Sequence, residues 1–359
     1  MMTMFKKTLL GAAIALVASG VTAKEVGINS DFNVEVYGVA AISLVNYNVT
    51  DNDKAKSSSD RDEGFVVENE SRIGFRAHKE MFENVLITMQ IESGYVDNTD
   101  WGHGGASGGV LGFRDTFIGA SGDWGNVRVG RVLTPLYEIV DWPFSNPGLG
   151  SVFDWGGIAG HYDRQSNQVR YDSPKFGGFS FAASVGRDDN ANGGGYATRD
   201  SSFVGANAKY SFEKVTLMGA VESGSDFNGV SGQDNQSYLV GFEASLPAGF
   251  GIAAAYKMEA LDNQANAAGV AQMGTDIEQG SYSVVGQYWN GPIGFKLGYA
   301  ANLESETNGK TDKDSDSNTI SGQLMAVHNG FVPYLRVAAR TVGDKDTDIV
   351  TRIGLEYGF

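Results

Sequence analysis

The 359-residue chain carries 49 glycines, 7 prolines, no cysteine and a net charge of −16. That charge excludes nucleic acid and anionic lipid as partners held by bulk electrostatics, and with no metal-ligand spacing, phosphate loop or dinucleotide fingerprint, no cofactor or metal is expected. Beyond the N-terminus no apolar run approaches the roughly 20 residues that a spanning helix needs, which excludes a helical membrane protein.

The first residues read as a targeting segment. Lys6 and Lys7 form a basic start, Thr8 to Gly20 an apolar core too short to span, and Val21-Thr22-Ala23 a small-residue cleavage site. Cleavage after Ala23 is expected, with 1–23 removed on export through the periplasm and 24–359 left as one unit without a linker. A chain free of cysteine suits that oxidising compartment.

From there the dominant signal is alternation with a period of two, in runs of about ten residues. Such runs fall near 34–46, 68–78, 84–92, 110–120, 126–131, 167–173, 178–186, 202–211, 214–222, 236–246, 250–258, 280–289, 292–303, 318–328, 332–342 and 348–359, sixteen in all. In the last of them Ile349, Thr351, Ile353, Leu355, Tyr357 and Phe359 share one face, and Val350, Arg352, Gly354, Glu356 and Gly358 the other. Short connectors such as Gly122-Asp123-Trp124-Gly125, Pro247-Ala248-Gly249 and Asn329-Gly330-Phe331 alternate with long, acidic ones such as Asp51–Glu63, Arg187–Asp200 and Glu304–Asp316. Tight turns on one side and long loops on the other predict an all-β, transmembrane, antiparallel barrel of sixteen strands, closed so that no strand edge meets lipid. The apolar faces would meet the bilayer, with aromatics such as Tyr37, Phe179 and Phe250 at strand ends as interface girdles.

The opposite faces carry Arg72, Arg76, Arg114, Arg128, Arg170, Arg336, Arg340 and Arg352. An arginine on a lipid face at mid-depth costs roughly 2–4 kcal/mol, so these belong to a wet lumen. Glu70, Glu92, Glu222, Glu243 and Glu356 share that side, either as internal ion-pair partners or as part of a transport path. One connector stands apart: 132–165 is too long for a structureless loop without a task and too aromatic to stand in solvent. Folded inward, as the third extracellular loop, it would bury its aromatics and set Glu138, Asp141 and Asp154 across from the arginine wall. Arg72, Arg114 and Arg128 are the expected counterparts. The result would be a constriction with a transverse field.

Several stretches resemble the Gram-negative general porins: Ser71-Arg72-Ile73-Gly74-Phe75-Arg76, then Asp115 through Gly125, then Val127 through Tyr137, then Asn167 through Phe179. The resemblance covers the whole chain after Ala23. It implies a homotrimer of sixteen-stranded barrels in the outer membrane, in contact with lipid and lipopolysaccharide, passing small hydrophilic solutes or oligosaccharides. Trp142, with the pair Asp154-Trp155, further resembles the vibrio-type chitoporins, which implies indole rings that stack on chitooligosaccharides, Glu356 as a lumen acid, and Lys24 to Phe32 as a small plug. Two readings stay open for the tryptophans: they stack on sugar, or they anchor the loop to the wall. The alternative function is a general, cation-preferring diffusion pore without a sugar site.

An outer-membrane barrel enzyme would need a histidine beside a nucleophile or a carboxylate. Of His78, His103, His161 and His328, only His161 lies in the 132–165 connector, beside Asp163, and no serine has an obvious place next to it. The chain is therefore not expected to be an enzyme.

Overall fold

The computed structural model describes residues 24–25, 33–48, 65–94, 112–145, 152–188 and 201–359. The expected leader 1–23, most of the expected plug, the stretches 51–63 and 189–200, and His103 lie outside the described residues.

Sixteen long strands form one closed antiparallel barrel. They are β1 (Asn33–Asn48), β2 (Phe65–Asn69 continuing as Arg72–Phe82), β3 (Val85–Gly94), β4 (Thr116–Gly122), β5 (Gly125–Leu133), β6 (Arg164–Asp172), β7 (Phe179–Arg187) and β8 (Ser202–Phe212). The second half holds β9 (Val215–Ser225), β10 (Asp234–Ser245), β11 (Phe250–Asp262), β12 (Ile277–Asn290), β13 (Ile293–Asn302), β14 (Ser317–Ala326), β15 (Phe331–Val342) and β16 (Asp348–Gly358). Each pairs with the next, and β1 pairs with β16 from Val39↔Gly358 to Asn48↔Ile349, which closes the ring.

The two halves of β2 keep one register against β1. Across the gap Glu70 N donates to Ala41 O (2.9 Å), and the Ser71 hydroxyl accepts from Ala41 N (2.9 Å) in place of a backbone partner. At the closing seam Phe359 and Gly38 exchange backbone hydrogen bonds of 3.0 and 2.9 Å. A Cβ on Gly38 would lie 2.6 Å from the Phe359 ring, so only glycine fits this approach.

The alternation in sequence becomes an inverted protein. One face of each strand exposes large apolar side chains, among them Leu44, Ile73, Val129, Val204, Val240, Leu297 and Ile353. The other face buries Lys257, Glu259, Ser281, Ser283 and Thr319. Apolar groups outside and polar groups inside make sense only where the surrounding solvent is hydrocarbon.

One strand differs from expectation. The run near 110–120 becomes strand only from Thr116, because Gly112 has a φ of +94° and residues 112–114 bend back onto β3. Gly112 N donates to Ser93 Oγ (2.8 Å) and Arg114 N to Glu92 O (3.0 Å).

A strap against the inner wall

Between β5 and β6 the chain makes a strap, described over 134–145 and 152–163. Thr134 caps a short helix, α1 (Pro135–Asp141), accepting from Tyr137 N, and Pro135 takes the first helical position, where its missing N–H is no loss. Leu136, Ile139 and Val140 recur at helical spacing and pack with Phe144, Val152 and Phe153 onto Met218, Leu239, Ala253, Ala255 and Ala300 of the strands. Leu239 lies between Tyr238 and Val240, both exposed on the apolar side, so the strap covers the opposite, inner face. Small wall residues make room: a Cβ on Gly241 would sit 2.5 Å from Phe144.

Polar side chains of the wall then receive the strap's backbone. Asn207 Nδ2 donates to Pro135 O (2.7 Å), Ser283 Oγ to Phe144 O (2.5 Å) and Asn302 Nδ2 to Val152 O (2.9 Å). On the return, Ile158 N donates to Gln279 Oε1 (2.9 Å), and Gly160 O accepts from Asn235 Nδ2 (2.8 Å) and Ser237 Oγ (2.7 Å). Tyr162 N donates to Glu222 Oε1 (2.8 Å), and Thr134 N to Asp163 O (2.8 Å) brings the two ends together.

The three strap acids expected at the constriction have three different environments. Glu138 is clamped by Lys209 Nζ (2.6 Å) and by Arg170, which also contacts Asp172 (2.6 Å) and Leu133 O (2.8 Å). Burial works against its ionisation, but Arg170 and Lys209 outweigh burial and hold its carboxyl down at about 2. Asp154 is buried, and burial lifts it to about 7; Asp141 adds to that rise, and Lys257 offsets only part. Asp141 is exposed, and the cations acting on it are Arg114, Arg164 and Arg72.

The expected facing pairs are therefore rearranged. Arg128 bonds Asp172 (2.5 Å) and Arg114 bonds Glu92 (2.5 Å), whereas Arg76 bonds Gln90 Oε1 (3.1 Å) and lies 3.6 Å from Glu35. Arg72 Nε is buried with no hydrogen-bond partner among the described residues. Glu356 pairs with Arg336 at 3.2 Å. Of Glu138, Asp141 and Asp154 only Asp141 lies in the field of Arg72 and Arg114, because Glu138 is turned toward β6 and β8 and Asp154 is buried. Lys209, Asp172, Arg164, Lys257 and Lys296 were missed as members of the site, although inner-face parity in the sequence marks Lys209, Lys257 and Lys296.

The tryptophans also differ from each other. Trp142 is half-buried, with Lys296 Nζ 4.2 Å from its ring centre. Trp155 is 38% exposed, and its Nε1 donates to Tyr137 Oη (3.0 Å). His161 is buried and bonded to Glu259, so it is not free to serve as a base. Among the described residues no three acids or histidines gather as metal ligands.

The model of the Gram-negative porin family matches residues 10–328. The chain is 68% identical to a chitoporin of Vibrio furnissii, with 99% of each chain covered. It is 27% identical to a monosaccharide porin of a Halomonas species over 57% of this chain and 56% of that one. Among solved structures, an anion-selective porin from Comamonas acidovorans superposes with a TM-score of 0.70 at 15% identity, covering 92% of this chain and all of that one. In-vitro folded OmpT of Vibrio cholerae, in a trimer form, gives 0.68 at 15% identity over 92% of this chain and 100% of that chain.

Proposed function

The chain belongs to the Gram-negative porin family and is an outer-membrane channel, and from that premise we propose that the strap narrows its lumen and makes it selective for chitooligosaccharides. Members of this family are channels, not enzymes. What carries the sugar reading is Trp155, an indole left exposed on a strap bound to the inner wall. Exposed apolar area costs roughly 25 cal/mol per Å², so such a ring gains from a ligand. Sugar rings have apolar C–H faces that stack on indole, and Asp141 is the exposed acid of the strap, suited to accept from hydroxyl and N-acetyl amide groups. The 68% identity to a protein named chitoporin supports the same class of solute.

Trp142 fits the anchoring reading better, since Lys296 already covers its ring. A homotrimer, and cleavage after Ala23, complete the proposal; the trimeric neighbour supports the first and the composition of 1–23 the second.

Single-channel recording in planar bilayers tests this. Chitohexaose should give discrete blocking events that maltohexaose does not. Trp155→Ala should shorten them while leaving the open current near wild type. A wild-type channel without chitohexaose-specific blockade would be a general diffusion pore, and a noisy or enlarged open current in Trp155→Ala would make Trp155 an anchor.

A further inference from the structure

Behind Trp155 lies a group of buried polar side chains with no evident part in conduction. His161, Glu259 and Lys257 have side chains that are 0%, 1% and 0% exposed. His161 Nδ1 contacts Glu259 Oε1, and Lys257 Nζ lies 3.2 Å from the same oxygen. Buried ion pairs add little stability over apolar side chains of similar volume, so anchoring alone does not account for this one. Nor does the strap need it here. Gly160 O is already held by two donors of β10, and Tyr162 N by Glu222 of β9, on either side of His161.

What the Glu259 contact fixes is the imidazole ring. That ring stacks on Tyr137 (5.7 Å between centres, 19° between planes) and lies 5.1 Å from Trp155 at 30°. Tyr137 and Trp155 are themselves 5.3 Å apart and joined through the indole N–H. Three rings in mutual contact restrict the indole's orientation, and among the described residues His161 is the one of them whose ring is bonded to a carboxylate of the barrel wall.

We propose that His161 is a positioning residue for sugar transit: Glu259 orients its ring, and His161 with Tyr137 holds the Trp155 indole ready to stack before a sugar arrives. This rests on the sugar-stacking reading of Trp155. A platform already ordered pays no ordering penalty on binding, so its loss shortens the bound state rather than slowing arrival.

The test is chitohexaose blockade of single channels formed by wild type, His161→Phe, Trp155→Ala and the double variant. His161→Phe keeps a ring and removes the donor to Glu259. It should shorten the residence time about three- to tenfold, the range that ordering one such side chain accounts for, with association rate and open conductance at wild-type values. The double variant should match Trp155→Ala alone. Should His161→Phe fail to assemble, Glu259→Gln, which keeps an acceptor for Nδ1, must retain the wild-type residence time, and Glu259→Leu must shorten it. Unchanged residence in His161→Phe, further shortening in the double variant, or a change in open conductance overturns the positioning role. Absence of blockade in the wild type overturns the sugar reading itself.

Discussion

Lys296 of β13 holds its ammonium 4.2 Å from the centre of the Trp142 indole, so the two tryptophans of the strap differ: one ring is capped by a cation, the other is open. A desolvated contact of this kind contributes about 2 kcal/mol. Lys296→Met should loosen the strap at Trp142 and remove a positive charge from the inner wall. The expected result is a reversal potential shifted toward cation preference, with more current noise. A quiet channel of unchanged selectivity would show that Lys296 neither fixes Trp142 nor acts on passing ions.

The strap acids should separate by function. Asp141→Asn should weaken cation preference, because Asp141 is exposed in the field of Arg72, Arg114 and Arg164. The effect should fade at high salt, since the Debye length is about 3 Å at 1 M. Glu138→Gln should act differently: Arg170, almost fully buried, loses its clamp, so the channel should flicker at nearly unchanged selectivity. Equal shifts of reversal potential in both variants would contradict this division.

Acidity should act on the strap in two opposite senses. Glu138 is held below its ordinary value, so its contribution to stability is complete above 4.5 and is lost as the pH falls through about 2. Asp154 is raised, so the folded state is favoured below 3.8 and loses that advantage as the pH rises through about 7. Asp154→Asn should therefore raise the unfolding temperature at mildly alkaline pH and leave it unchanged in acid. Melting followed by the mobility shift of the folded barrel in gels would detect this, and a uniform shift at all pH values would count against it.

Gly157 leaves no room for a side chain between the returning strap and the wall. Its φ is +67°, and a Cβ there would lie 1.8 Å from Gln279 Oε1, the acceptor for Ile158 N. Gly157→Ala should expel Gln279, break that bond and shift Trp155 with it. Open current should change and any chitohexaose blockade should weaken; wild-type recordings from this variant would mean that the strap is not seated as described.

Alternation made the barrel legible, because each strand decides between lipid and water one residue at a time. Sixteen runs were enough to give count, closure and the sorting of turns from loops. The strap was legible only as an anomaly of length and aromatic content. Its helix left a trace, a Thr-Pro start followed by Leu136, Ile139 and Val140, but seven residues are too few for periodicity to stand out. The partnerships of the site were not legible: Glu259 is 98 residues from His161 in sequence, and Asn302 150 from Val152. Such contacts depend on where a loop crosses the barrel, which no local pattern encodes. The same holds for Asp154, whose burial is a property of the wall beneath it.

The seam between β1 and β16 has a consequence for the making of the protein. Strand β1 needs β2 on one edge and β16 on the other, so the part synthesised early waits for the part synthesised last. Until it arrives, two rows of backbone amides and carbonyls stay unsatisfied, each costing several kcal/mol in hydrocarbon. A chain lacking the last strand would leave both edges open, and closure of the barrel is therefore a condition set by the hydrocarbon itself.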